Sequence, residues 1–231
     1  MGNATSTLSD DGVVHVVLDD GERRNPIGHE EVDLLEDALL YSDAGAVVLS
    51  AAEGPVFSAG GDLRLAPERL QRLSARIMDL CRFSVASATA FVVAADGLAV
   101  GSGAQLLLAA DLRVLGREAR LRTADVSRGL VAGAWSLPAH VGRGRALELL
   151  LTGRDLDADE LVACGLAAAI EPDPVAAALA LAGRLAALDP GYRERVKAAV
   201  AAAAVSLPAL ELERRGFVPP LRPKGASRGG R

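Results

Sequence analysis

The 231-residue sequence predicts an α/β core followed by a helical C-terminal extension. Short apolar runs bounded by turn residues alternate with stretches of helical periodicity, and from Pro174 onward the text becomes alanine-rich and helical. Half of the residues are apolar, enough to build a sizeable core in one compact unit with an extension.

Val13–Leu18 reads as the first strand and stops at the Asp19-Asp20-Gly21 turn. Between Glu30 and Leu40, Val32, Leu35 and Leu39 recur at helical spacing while Glu31, Asp33, Glu36 and Asp37 face outward, an acidic amphipathic helix. Ala46–Ser50 is a buried strand, and a loop runs from Ala51 to Gly61. The next helix buries Leu70, Leu73, Ile77 and Leu80 and sets Arg69, Arg72 and Arg76 on its wet side. Phe91–Ala95 reads as strand, Gly103–Ala110 as buried helix and Leu112–Leu115 as strand. Arg145–Leu151 is helical and closes at Thr152-Gly153. Asp157 and Glu160 have the spacing of a capping box. Leu166–Ile170 is a last short strand, and helix then extends from Pro174 to Arg215 with interruptions at Pro190 and Pro208. The expected organisation is an N-terminal tail over 1–11, a core over 12–189, a helical region over 190–218, and a disordered basic tail over 219–231. That tail holds four bases, three glycines and three prolines.

Composition excludes several classes of function. A net charge of −5 argues against general nucleic-acid binding, which needs an excess of Lys and Arg. Seven aromatic residues leave a ligand pocket to be walled by aliphatic side chains. Two cysteines without a CxxC spacing, and three scattered histidines, give no metal-ligand pattern, so no metal is expected. The N-terminus lacks a basic stretch followed by an apolar run. Phe83–Ala110 carries one charge in 28 residues, but Asp96-Gly97 splits it into halves short of the ~18 apolar residues a membrane span needs. A soluble, cytoplasmic protein without a membrane anchor is expected. Of the 25 bases, 23 are Arg, which fits either exposed helix faces or a phosphate-bearing ligand held by bidentate guanidinium groups.

Two glycine-rich junctions carry the chemistry. Gly54-Pro-Val-Phe-Ser-Ala-Gly-Gly-Asp62 follows a strand and leads to an Arg-bearing helix. It reads either as a tight turn capped by Asp62 or as a loop whose adjacent glycines let backbone N–H groups approach a ligand. Gly97-Leu-Ala-Val-Gly-Ser-Gly-Ala-Gln-Leu106 joins another strand to a buried helix. It is neither a dinucleotide fingerprint, since Leu106 stands at the third glycine position, nor a nucleophile elbow, since Ser102 lacks the GxSxG frame. If the junctions converge, they place two N–H donors on one oxygen.

Phe57-Ser-Ala-Gly-Gly-Asp-Leu63 resembles the F-x-A-G-A-D-L signature of the enoyl-CoA hydratase/isomerase (crotonase) superfamily. Gly97 to Asp111 resembles its G-x-A-x-G-G-G-x-E-L-x-x-x-x-D signature, Arg24-Asn25-Pro26 its R-N-A stretch, and Gly142 to Gly165 its G-x-x-x-A-x-x-x-x-L-T-G…A-x-x-x-G-L segment. The resemblance covers about residues 12–217, with the motifs in the family's order. It implies a crotonase-like spiral of strand-strand-helix turns, a helical end that builds homotrimers or hexamers, and an acyl-CoA thioester as ligand, with CoA part of the substrate and no separate cofactor. Carried over position by position, the oxyanion amides fall on Gly61 and Ser102. The CoA moiety falls along Arg23, Arg24 and Ala59, and Leu63 and Arg64 border the acyl entrance.

Departures from the pattern refine this expectation. The first of the two glutamates that hydratases of the family use falls on Gln105, an amide that cannot take up a proton near neutral pH. The second falls on Asp125, a carboxylate on a shorter stem that reads either as the proton carrier or as a partner of Arg122 and Arg128. Many relatives continue past the segment resembling Leu210–Phe217 into a helix near the CoA, whereas here Val218-Pro-Pro ends the pattern, leaving Arg222 or Lys224 as substitutes. Trp135 occupies an acyl-site segment that is glycine-rich in many relatives, and either packs or narrows the channel. The expectation is an acyl-CoA-processing enzyme in which one base moves a proton, isomerase-like rather than hydrating. The alternatives are an acyl-CoA-binding or scaffold protein that has lost catalysis, and a ligand other than CoA on the same scaffold.

Overall fold

A computed structural model describes residues 4–52, 54–126, 129–204 and 208. Its elements in chain order are β1 (Thr5–Leu8), β2 (Val13–Leu18), α1 (His29–Glu36), β3 (Ala46–Ala51), α2 (Pro67–Ala86), β4 (Ala90–Ala95), β5 (Leu98–Val100), α3 (Ser102–Ala109) and β6 (Leu112–Leu115). They continue with β7 (Arg120–Arg122), β8 (Ala124–Asp125), β9 (Leu130–Val131), α4 (Leu137–Thr152), β10 (Leu156–Asp157), α5 (Ala158–Ala163), α6 (Pro174–Ala186) and α7 (Pro190–Ala204).

The main sheet has the order β1-β2-β3-β4-β6. β2, β3, β4 and β6 run parallel, in a register that sets Val14 beside Val47 and Val47 beside Phe91. Both faces of a parallel sheet are covered, which is why β4 reads as an unbroken apolar run and β2, β3 and β6 carry one polar residue each. On one face Val16, Leu49, Phe91 and Val93 pack with Val32 and Leu35 of α1, Leu73 and Ile77 of α2, and Leu106 of α3. On the other, Val13, Val48, Val92 and Val114 meet Ala178 and Ala182 of α6. Small side chains on α6 let the helix lie close, and a Cβ on Gly45 would come within 2.7 Å of the Ala186 backbone. A second sheet has the order β10-β7-β5, and β8 and β9 pair antiparallel.

α7 is tied down by polar contacts. Lys197 Nζ donates to Asp111 Oδ2 at 2.6 Å and to the Thr89 carbonyl at 2.7 Å, and Arg193 donates to the Ala88 carbonyl at 2.9 Å. Burial raises the Asp111 carboxyl above its ordinary range and lowers the Lys197 amine, and their mutual attraction opposes both effects. Lys197→Met is therefore expected to lower the unfolding free energy by about 2 kcal/mol, the worth of a charge-assisted hydrogen bond, read by urea denaturation.

Several boundaries differ from the sequence expectation. Thr5–Leu8, placed in a tail, pairs antiparallel with β2 through a fully exposed edge strand. Glu31 is buried rather than solvent-facing, because its carboxylate accepts the Gly28 N–H at 2.8 Å and caps α1. α4 begins at Leu137, well before Arg145, and breaks at Gly142, where φ is +74°. Leu166–Ile170 forms no strand, and only Ile170 makes a single bridge, to Leu115. The capping box at Asp157 and Glu160 is formed as expected. Pro208 is helical, while Leu210–Phe217 and the basic tail with Arg222 and Lys224 lie outside the described residues. Among the described residues no helix is long and apolar enough to cross a membrane.

Candidate active site

Residues 55–62 are held from both sides by main-chain pairing. Arg24 and Asn25 adopt left-handed backbone (φ +66° and +51°), which turns the chain so that 24–27 runs alongside the loop. Ala59 donates to the Arg24 carbonyl at 2.9 Å, Ile27 to the Gly60 carbonyl at 2.8 Å, and Asp62 to the Ile27 carbonyl at 2.9 Å. The buried Asn25 amide donates to the Val56 carbonyl at 3.0 Å, and Ser58 Oγ donates to the Asn25 carbonyl at 2.7 Å. On the opposite edge Ser58 donates to the Leu98 carbonyl and Val100 to the Ser58 carbonyl, at 3.1 and 2.9 Å.

This pairing brings the two glycine junctions together. Gly60 has φ +96°, and a Cβ there would lie 3.1 Å from the Val100 carbonyl oxygen and 3.4 Å from the Ser102 nitrogen. A Cβ on Gly101 would come within 3.5 Å of Gly60 Cα, and one on Gly61 within 3.4 Å of Ser102 Oγ. Gly60 is the position where a side chain would be both strained and crowded, while the approaches at Gly61 and Gly101 are ordinary van der Waals distances. Among the described residues neither the Gly61 N–H nor the Ser102 N–H is matched to an acceptor. Ser102 opens α3, where first-turn amides lack intrahelical partners. Unspent amides at such a point can hold an oxygen that gains negative charge.

The junctions form the shared floor of two small cavities. One, about 120 Å³, is lined by Gly61, Ser102, Gln105, Ile77 and Met78. The other, about 70 Å³, is lined by Gly60, Gly61, Thr123 and Asp125. Leu63, Gly101 and Leu130 border both. Gln105 and Asp125 thus flank the junctions from opposite lobes.

Gln105 is buried, and its Oε1 accepts the Trp135 indole N–H at 2.8 Å. Because an indole only donates, the amide oxygen faces Trp135 and the amide nitrogen is the donating edge. Trp135 is itself buried and borders neither lobe. It lines a separate groove of about 380 Å³ with Ala110, His140 and Lys197, and it meets the site through its bond to Gln105. Burial, with help from Arg113, pushes the His140 imidazole down to about 4, so that groove presents a neutral ring.

Asp125 is half-buried on β8, paired across the hairpin with Leu130 of β9. Arg122, one of its expected partners, makes a bidentate pair with Asp155 at 2.6 and 3.0 Å and also interacts with the Asp125 charge, and Arg128 lies outside the described residues. Thr123, which the sequence reading did not single out, is also on this lobe, with a buried hydroxyl that has no hydrogen-bond partner among the described residues. Its place two residues before Asp125 on an extended run was the available signal.

Charged residues gather beside the glycines. Arg23 pairs with Asp20 and lies 3.5 Å from Asp62, while Arg64 grips Asp62 with two bonds of 2.9 and 2.7 Å. Arg24 is exposed and makes no ion pair among the described residues. Ala59 and Leu63 are exposed at the same rim. No cluster of three or more potential metal ligands occurs among the described residues.

Comparison with known proteins gives a consistent picture. A family model described as enoyl-CoA hydratase/isomerase matches residues 9–216. A Thermus thermophilus protein designated an enoyl-CoA hydratase is 42% identical over 173 residues, 69% of this chain and 68% of that protein. The crystal structure of a Mycobacterium abscessus protein designated an enoyl-CoA hydratase/isomerase superposes with a TM-score of 0.76 at 31% identity, covering 92% of this chain and 88% of the other. A Thermobifida fusca protein designated an enoyl-CoA hydratase, crystallised in complex with CoA, superposes with a TM-score of 0.75 at 27% identity, covering 93% and 91%.

Proposed function

The chain belongs to the enoyl-CoA hydratase/isomerase family, and on that premise we propose that it shifts the double bond of an enoyl-CoA thioester with a single base. The Asp125 carboxylate removes a proton from C2 of a 3-enoyl thioester. The electron pair left behind delocalises onto the thioester oxygen, which the Gly61 and Ser102 N–H groups hold. Asp125 then delivers a proton to C4, partly exchanged with solvent, and the product is the conjugated 2-enoyl thioester. Atoms and charge balance without a co-reactant. The observation that carries this reading is the pair of amides without acceptors among the described residues at the Gly60–Gly101 contact, with Asp125 on an adjoining lobe.

Gln105 separates isomerisation from hydration. Adding water across the double bond calls for a second acid–base group, and an amide already bonded to an indole supplies none. Gln105 orients the acyl group through its nitrogen edge. Arg23, Arg24 and Ala59 hold the CoA moiety, with Leu63 and Arg64 at the acyl entrance, and the CoA complex of the Thermobifida fusca relative supports a CoA ligand. Assembly is as a homotrimer or hexamer.

Absorbance assays with a 3-enoyl-CoA and with crotonyl-CoA test the reading. Isomerisation is expected to exceed hydration by about 100-fold or more. Hydration of crotonyl-CoA at a comparable rate overturns it. Tight binding with no turnover of either substrate instead establishes the second reading, an acyl-CoA-binding protein without catalysis, which the Gln105–Trp135 bond favours by spending the amide on packing.

A further inference from the structure

Trp135 is the one tryptophan of the chain, and the turn that carries it is clamped against α3. Ser136 and Leu137 both donate to the Gly133 carbonyl, at 3.1 and 2.9 Å, and a Cβ on Gly133 would overlap the buried Leu108 side chain. Gln105 stands one turn before Leu108 on the same helix. The indole N–H therefore meets Gln105 Oε1, at 2.8 Å, from a turn whose backbone is already fixed.

A carboxamide has two ends of nearly equal size and opposite chemistry, and rotation about its last bond exchanges them. Shape does not tell the ends apart. A group that only donates does, because it bonds the oxygen end alone. Turning the amide over would strand a buried indole donor against a second donor, which costs more than an unmade bond at the surface. Gln105 lines the lobe of about 120 Å³ beside Gly61 and Ser102, while Trp135 lines the groove of about 380 Å³. The amide thus stands between the two, with its oxygen end assigned to the indole.

Resting on the acyl-thioester reading above, we infer that Trp135 is a positioning residue, whose indole N–H holds the Gln105 amide with its NH₂ end toward a thioester bound at the junctions. Calorimetric titration with butyryl-CoA of the intact chain and of Trp135→Phe, Gln105→Met and the double variant tests this, each at a temperature where it is folded. Phenylalanine keeps an aromatic ring without the donor, and methionine keeps the length of glutamine without either amide end. Each single substitution is expected to weaken binding about tenfold, and the double variant to bind no more weakly than Gln105→Met. The indole N–H resonance, which belongs to Trp135 alone, is a readout that packing by itself would not move. It is expected to shift when butyryl-CoA saturates the parent and to stay in place in Gln105→Met. Unchanged affinity in Trp135→Phe overturns the inference, as does a loss that recurs in full in the Gln105→Met background. So does an indole resonance indifferent to bound thioester, which marks the bond as packing. Each of these leaves the acyl-thioester reading standing, whereas a parent that binds no butyryl-CoA overturns that reading as well.

Discussion

Asp125→Asn is expected to lower the isomerisation rate by ~10²–10⁴-fold, the range for loss of a general acid–base group. Thioester affinity should hardly change, because the amide keeps nearly the shape of the carboxylate and its place on the β8–β9 hairpin. The expected signature is thus a fall in kcat with a steady KM, which marks an interaction made in the transition state rather than in binding. Exchange of the C2 proton with deuterated water gives an independent readout, and should vanish with turnover. An undiminished rate would remove Asp125 from the mechanism and, since Gln105 cannot accept the proton, the single-base scheme with it.

Gly60→Ala should act through geometry instead of chemistry. Gly60 sits at φ +96°, where a side chain is strained by about 1–3 kcal/mol, and its Cβ would press on the Val100 carbonyl at 3.1 Å and touch the Ser102 nitrogen at 3.4 Å. Both neighbours are backbone, so the two junctions must part. Losing alignment of one amide is expected to lower the rate ~10²–10³-fold. Gly165→Ala is the control for strain alone. Gly165 has φ +77°, a Cβ there meets nothing within 4 Å, and it borders neither lobe. Both variants should melt earlier than the parent, but only Gly60→Ala should lose activity at a temperature where each is folded. Full activity in Gly60→Ala would dissociate the junction contact from catalysis.

Local patterning made the helices and the parallel strands legible. Val13–Leu18 and Ala46–Ser50 read correctly because largely buried strands need no partner to be recognised, and Leu112–Leu115 because three of its four residues are apolar. β5, β7, β8, β9 and β10 are two or three residues long, shorter than any periodicity can register, and their existence depends on pairing between distant segments. β1 escaped because all four of its residues are exposed, leaving no apolar alternation. Pro138, Gly142 and Gly144 hid the first half of α4, although Pro138 starts it and Gly142 merely bends it. At the site, glycine content announced both junctions, yet their contact rests on Asn25 and Ser58, whose bonding spans more than thirty positions. The Trp135 indole was expected near the acyl channel, and its bond to Gln105, thirty positions away, is likewise a tertiary fact. Thr123 was overlooked because a threonine near a strand is unremarkable until its hydroxyl is seen to lack a partner among the described residues.

The pairing of residues 55–62 on both edges has a bearing on how this chain can drift in sequence. At Val56, Ala59, Leu98 and Val100 the contributing atoms are peptide nitrogens and oxygens, which every residue but proline supplies alike. Exchanges of side chain there leave the splint intact, so the rim of the cleft can be remodelled for new acyl groups without disturbing the machinery beneath. Asn25 and Ser58 bear the opposite burden: their side-chain atoms close the splint, and innovation at either begins by dismantling it.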